Sequence, residues 1–227
     1  MVDTPQTDIV GVLTRAPSAG GKSRLFDELG VALDAELLIA LLLDTIDSLA
    51  VVPARRIAIV EPASACDEVR ALVPPDVGVM AQRGSTLGER MRLAMTDLFA
   101  AGAARVALVG SDLPAIPPRA VVEALALLAR DRESIAIGPA ADGGYYLVAA
   151  ADVPDIFSGI AWSSPRVLEQ TQRAAVAARR RIVLVDSAAD IDTVDDLRAL
   201  AATSGPSARR TIAWARRHGL GETAAGN

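Results

Sequence analysis

Short runs rich in Val and Ile alternate along this chain with longer stretches in which apolar residues recur at helical spacing. The runs from Ile9 to Leu13, Arg56 to Val60, Val77 to Ala81, Arg105 to Val109, Ile135 to Gly138, Tyr145 to Val148 and Ile182 to Val185 read as strands. The stretches from Val31 to Leu49, Leu87 to Ala101, Pro118 to Ala129, Pro165 to Ala178 and Val194 to Ala202 read as helices. That alternation predicts an α/β fold, a mixed, mostly parallel sheet flanked by helices. The first helix is apolar nearly all round, which suits a buried core element or a contact in a homo-oligomer. Ser164 followed by Pro165 reads as an N-cap and first helical residue, and Thr193 with Asp196 three residues on fits a capping box.

Composition narrows the classes. A chain of 227 residues with 51% apolar and 22% charged residues buries roughly 70% of its unfolded surface, which excludes disorder as the main state. The longest apolar runs, Leu37 to Leu43 and Tyr145 to Ala151, reach seven residues. A membrane span needs roughly 20, so no membrane association is expected. The stretch from Met1 to Asp8 has no cationic patch before an apolar run, so no signal peptide is expected and a cytoplasmic location is. The single cysteine, Cys66, has no disulfide partner and no zinc-ligand spacing around it.

A net charge of -5 with Arg scattered along the chain argues against a nucleic-acid partner, so any anionic ligand must meet a local basic pocket. The Gly- and Pro-containing stretch from Thr203 to Ser207 precedes a short basic helix from Ala208 to His218. We read residues 1–202 as one domain and residues 203–227 as a helical extension and tail. His218 is the only histidine, an unpromising base for a mechanism that needs an imidazole.

Ligands of open α/β sheets bind beyond the carboxyl ends of the strands. After the first strand comes Thr14-Arg15-Ala16-Pro17-Ser18-Ala19-Gly20-Gly21-Lys22-Ser23-Arg24. Gly20 and Gly21 let backbone approach a ligand, and Arg15, Lys22 and Arg24 supply cations, a composition suited to phosphate. A solvated surface loop is the plainer reading. Gly21-Lys22-Ser23 also matches the end of a P-loop, but Ala16 stands where its first glycine belongs.

Asp112, in Gly110-Ser111-Asp112-Leu113-Pro114, sits at a strand end where a carboxylate holds a hard divalent cation or simply caps a turn. Asp142-Gly143-Gly144 lies between two strands and is a good hairpin turn without any ligand. In Asp190-Ile191-Asp192-Thr193, the helix dipole and capping box explain Asp195 and Asp196 just downstream, but not Asp192.

Together these stretches, with Gln82, Leu87-Gly88-Glu89-Arg90-Met91, Gly138-Pro139-Ala140, Asp142-Gly143-Gly144-Tyr145-Tyr146-Leu147 and Trp162-Ser163, resemble the rSAM/selenodomain-associated transferase 1 family, a GT-A-type group. The resemblance spans Arg15 to Leu197, and Asp-Gly-Gly-Tyr-Tyr-Leu is its most specific string. It departs from the family at Arg15, where Lys is usual, and at a shorter loop before Lys22 with Ala19 replacing a common proline.

The resemblance implies the nucleotide-diphospho-sugar transferase fold and transfer of a sugar from a nucleotide-diphosphate donor to a small acceptor. It implies Arg15, Gly20, Gly21, Lys22, Arg24, Gln82 and Asp112 at the nucleotide. Asp112 and Asp192 would hold Mg2+ or Mn2+, Asp142 with Lys22 and Arg24 would serve catalysis, and Gly143, Gly144, Tyr145 and Trp162 would face acceptor or sugar. The layout is also similar to 2-phospholactate guanylyltransferase, through Lys22-Ser23-Arg24-Leu25, and to CMP-KDO synthetase, through Ile191-Asp192-Thr193 with Asp195-Asp196-Leu197. That likeness implies nucleotidyl transfer from an NTP with release of pyrophosphate. A nucleotide sensor without turnover is the third reading.

Overall fold

The computed structural model describes residues 7–203 and 205–221. All seven expected strands form one sheet: β1 (Thr7–Arg15), β2 (Arg55–Glu61), β3 (Gly78–Ala81), β4 (Ala103–Gly110), β5 (Ser134–Pro139), β6 (Tyr145–Ala150) and β7 (Arg181–Leu184). Their order is β3-β2-β1-β4-β6-β5-β7. β6 runs antiparallel to both its neighbours, whereas the β1–β2, β1–β4, β2–β3 and β5–β7 pairs are parallel. The expected mixed, mostly parallel sheet is therefore the sheet observed.

Eight helices are described: α1 (Ser23–Leu29), α2 (Ala35–Ser48), α3 (Cys66–Leu72), α4 (Leu87–Ala100), α5 (Pro118–Arg130), α6 (Val167–Ala177), α7 (Val194–Ala201) and α8 (Arg209–Arg217). Alternate residues of the central strands enter different cores. Ile57 and Ile59 pack with Met95 and Leu98 of α4, and Ala58 and Val60 pack with Ile46 of α2 and Val69 of α3. Burial on both faces is why these strands read as continuous apolar runs. Among the described residues, no helix is long and apolar enough to cross a membrane.

Two expected helix starts change. The helix expected from Val31 to Leu49 begins only at Ala35. Gly30 adopts a left-handed conformation that closes α1, and Asp34 caps α2 by accepting from the Glu36 amide at 2.8 Å. α6 begins at Val167, not Pro165, because Ser164 Oγ donates to the Ala161 carbonyl at 2.7 Å and lies 3.4 Å from the Arg166 amide. The β5–β6 turn docks there, with the Leu168 amide donating to Gly143 at 2.9 Å. The short helices α1 and α3 were not expected at all. The capping box is formed as expected, Thr193 Oγ1 accepting from the Asp196 amide at 3.2 Å.

α8 packs against α2 and α7 in a third apolar cluster outside the sheet. Trp214 is fully buried there and donates through Nε1 to Asp34 at 2.7 Å. Asp44 of α2, 3% exposed, accepts from the Thr211 amide and hydroxyl at 2.8 and 2.9 Å and pairs with Arg210 at 3.0 Å. Residues 1–6, at the N-terminus read for a signal peptide, and 222–227, the end of the expected tail, lie outside the described residues.

Candidate functional site

The chain order reverses at β1, which has β2 on one side and β4 on the other, so the carboxyl ends of β1 and β4 flank a topological switch point. Two cavities open there and share Asp112. The smaller, about 240 Å³, is lined by the loop after β1, including Arg15, Gly20, Gly21 and Lys22, together with Leu38 and Leu41 of α2. Gly20 has φ 73°, which any side chain would resist, and a Cβ there would stand 2.9 Å from Leu33 Cδ1.

Lys22 itself takes a left-handed φ of 53° at the start of α1, uncommon for a residue with a side chain. Its Nζ lies 2.6 Å from Asp112 Oδ2 and 2.5 Å from Asp192 Oδ1, with the side chain only 14% exposed. Burial alone would pull the ammonium pKa down. Asp112 and then Asp192 outweigh it and hold it above its ordinary value.

A third carboxylate joins them. Asp112, Asp190 and Asp192 each offer an oxygen within 4.8 Å of the other two. The Ile191 amide donates to the Asp112 carbonyl at 3.0 Å and so pins the Asp190–Asp192 segment against the end of β4. Burial, followed by the charges of Asp192 and Asp112, pushes the Asp190 carboxyl up to about 6. Three oxygen donors without nitrogen or sulfur suit a hard cation, and the single charge of Lys22 offsets only part of their repulsion. Sequence reading named Asp112 and Asp192 as ligands and missed Asp190. The detectable signal was the Asp-x-Asp spacing, since alternate residues of an extended segment share a side.

The larger cavity, about 370 Å³, lies on the β6 side of Asp112. Its walls include Leu13, Met91, Leu108, Val148 and Trp162, and its rim carries Asp142 and Asp190. Trp162 meets Tyr145 edge-on, with ring centroids 6.3 Å apart and planes at 77°. Burial pushes the Tyr145 hydroxyl pKa up, with the Thr171 hydroxyl opposing. Ser163, beside Trp162, is another residue with a left-handed φ, 62°. Asp142 closes the β5–β6 turn, Oδ1 accepting from the Gly144 amide at 2.8 Å, and its side chain is exposed.

Gly143, in this turn at φ 86°, backs onto the Pro165 carbonyl, while Gly144 lines the cavity. Tyr146 is structural: its ring covers Gly138, its hydroxyl donates to the Asp186 carbonyl at 2.8 Å, and burial pushes it up to about 12. Two expected nucleotide residues line neither cavity. Arg24 is exposed on α1 without a partner among the described residues, and Gln82 Oε1 lies 3.4 Å from Arg90 Nη1.

Residues 45–164 match the model of a family described as uncharacterized proteins conserved in bacteria, DUF2064. The chain belongs to that family. The matched segment includes Asp112, Asp142 and Trp162 and ends before Asp190 and Asp192. No curated protein matches this DUF2064 chain.

Among solved structures, a protein of Desulfovibrio desulfuricans G20 provisionally designated a nucleotide-diphospho-sugar transferase is 33% identical, with 95% of this chain and 96% of that one covered and a TM-score of 0.83. A nucleotidyl transferase from Methanothermobacter shares the fold at 17% identity, 86% and 95% coverage and a TM-score of 0.60. CMP:2-keto-3-deoxy-manno-octonic acid synthetase, solved with CTP, does so at 16% identity, 87% and 99% coverage and a TM-score of 0.55. The DUF2064 chain thus has a nucleotide-diphospho-sugar transferase-like fold.

Proposed function

We propose that the chain is a cytoplasmic, divalent-cation-dependent transferase of the rSAM/selenodomain-associated type that moves a glycosyl group from a nucleotide-diphosphate sugar to a small acceptor. One observation carries this reading: a cation-lined cavity and a largely apolar cavity meet at Asp112, so a donor's diphosphate and an acceptor can lie on either side of one carboxylate cluster. The likeness to the D. desulfuricans protein supports it.

Asp112, Asp190 and Asp192 would hold Mg2+ or Mn2+, which when bound neutralises charge on the leaving diphosphate. Arg15 and Lys22, which line the smaller cavity, would add to that neutralisation, with Arg24, exposed on α1 and without a partner among the described residues, as a further cation beside the loop. Asp142 keeps Oδ2 clear of the Gly144 amide and orients the acceptor hydroxyl or takes its proton. The acceptor oxygen forms its bond to the anomeric carbon as the bond to the diphosphate oxygen breaks, and nucleoside diphosphate leaves with the electron pair.

The convergence of Asp190 and Asp192 on Asp112 keeps a second reading alive, attack of an acceptor on an NTP α-phosphate with departure of pyrophosphate. The by-product separates the two. A thermal-shift panel of nucleotide-diphosphate sugars and NTPs, each with and without Mn2+, names the donor first. A ligand at 100 times its Kd stabilises by about 2.7 kcal/mol, or roughly 5 to 11 °C for a chain of this length.

We expect a Mn2+-dependent shift with one diphosphate sugar, larger than with its free diphosphate and lost in Asp112→Ala. In turnover, nucleoside diphosphate should accumulate, and Asp112→Ala should slow the reaction about 10²–10³-fold. A shift confined to NTPs, with pyrophosphate as product, would replace glycosyl by nucleotidyl transfer.

A further inference from the structure

The larger cavity carries carboxylates but no cationic side chain. Asp142 and Asp190 stand on its rim and Asp112 at its junction with the smaller cavity. Lys22 lines the other cavity and is already committed to Asp112 and Asp192. Arg166 lies between Ser164 and Val167 in sequence, but its exposed side chain is not part of the lining.

A helix N-terminus is the other usual binder of anions, and α6 begins beside this cavity. Its first amides are spent inside the chain: Val167 donates to the Ser164 carbonyl at 3.3 Å and Leu168 to the Gly143 carbonyl at 2.9 Å. An anionic group placed here would give up its hydration and meet the charge of Asp142 with no cationic side chain in the lining to offset it. An apolar face, by contrast, meets Trp162, Met91 and Val148.

We infer that the larger cavity selects a non-anionic acceptor, a small hydroxyl-bearing molecule that lays an apolar face on Trp162 and directs its hydroxyl to Asp142. Phosphorylated and carboxylated acceptors are rejected, and the charge of Asp142 contributes to the rejection. The word acceptor rests on the proposed transferase function; the charge selectivity of the cavity does not.

Three aromatic probes of similar size test this on the full chain: benzyl alcohol, benzylammonium and benzoate, titrated while Trp fluorescence is followed. A Trp162→Phe variant assigns the signal, since Trp214 is the only other tryptophan and is fully buried. We expect the alcohol and the ammonium to bind and benzoate to bind at least about tenfold more weakly, which corresponds to ~1.4 kcal/mol. Asp142→Asn should narrow the benzoate gap about threefold or more.

Benzoate binding within threefold of the alcohol, a gap unmoved by Asp142→Asn, a signal surviving in Trp162→Phe or no binding by any probe would overturn the inference. Nucleotide binding is measured separately. A chain that ranks the probes as expected yet binds no nucleotide would refute the transferase reading alone, and one that binds a nucleotide sugar yet accepts benzoate equally would refute the charge selectivity alone.

Discussion

The two cavities that meet at Asp112 are built by opposite means. The smaller one is built on the loop after β1, with a glycine pair and a left-handed lysine just before α1, and is closed by Leu38 and Leu41 of α2. Its support comes from behind, where Leu25 and Phe26 of α1 pack with Leu37 and Leu41 of α2, Leu197 of α7 and Trp214 of α8. The larger cavity is walled by side chains that belong to the sheet core itself, Leu108 of β4, Val148 of β6 and Met91 of α4. Under the proposed function, charge recognition falls to a loop propped by peripheral helices, and shape recognition to the sheet core. Phosphate can be gripped by groups that move into place, whereas an apolar face needs walls that already fit.

The largest effect is expected where the propped side can be undermined from a distance. Trp214→Ala removes a fully buried indole and its hydrogen bond to Asp34, the residue that caps α2. The cost should be about 3–5 kcal/mol, seen as a fall in Tm of roughly 6 °C or more. Amide exchange should rise first in α1 and α2 and least in β4 and β6. An unchanged Tm would mean that residues 203–227 are the mere extension their sequence suggests.

The rigid side should fail differently. Gly88 is the second residue of α4, and a Cβ there would collide with the Phe157 carbonyl and come within 2.8 Å of the Trp162 ring. Gly88→Ala should cost about 1–3 kcal/mol and displace Trp162. Binding in the larger cavity should weaken while nucleotide affinity, measured by calorimetry, stays within about twofold. If both affinities fell together, the two sites would share one scaffold and the contrast between them would not hold.

The same contrast explains what was legible in the sequence. Strands buried on both faces announce themselves as Val- and Ile-rich runs, so the sheet and the strand-end placement of Asp112 could be read directly. α1 could not, because seven residues with only Leu25 and Phe26 buried show no period, and its start rests on the backbone of Lys22 with no capping side chain. α6 starts late because the β5–β6 turn docks on Pro165, a contact between segments that local propensity does not contain.

Asp142 and Trp162 were nameable from a motif, yet the apolar cavity they share depends on α4 and β6 coming together. Asp190 needed the Ile191–Asp112 backbone bond to become visible as the third member of its cluster. Residues that act through their own loop were readable; those that act through a neighbouring element were not.

The smallest expected effect probes the seam between the cavities. The folded chain binds a proton at Asp190 more tightly than an ordinary carboxyl does, since burial and the charges of Asp192 and Asp112 push it up to about 6. Without a divalent cation, this residue's contribution to stability is therefore greatest in acid and is lost as pH rises from about 4 through about 6. Asp190→Asn removes the penalty.

The metal-free variant should be more stable than the parent at pH 7 by about 1 kcal/mol after allowance for solvent screening, or roughly 2–4 °C in Tm, and the difference should vanish near pH 4. Mn2+ should reverse the order, stabilising the parent at pH 7 more than the variant, because the lost carboxylate is then one donor fewer for the ion. Matched thermal melts at pH 4 and 7, with and without Mn2+, read all of this in one series. A variant less stable than the parent in the absence of metal at pH 7 would show that Lys22 already neutralises the cluster, and that the seam between the cavities is a closed salt bridge with no vacancy for a second cation.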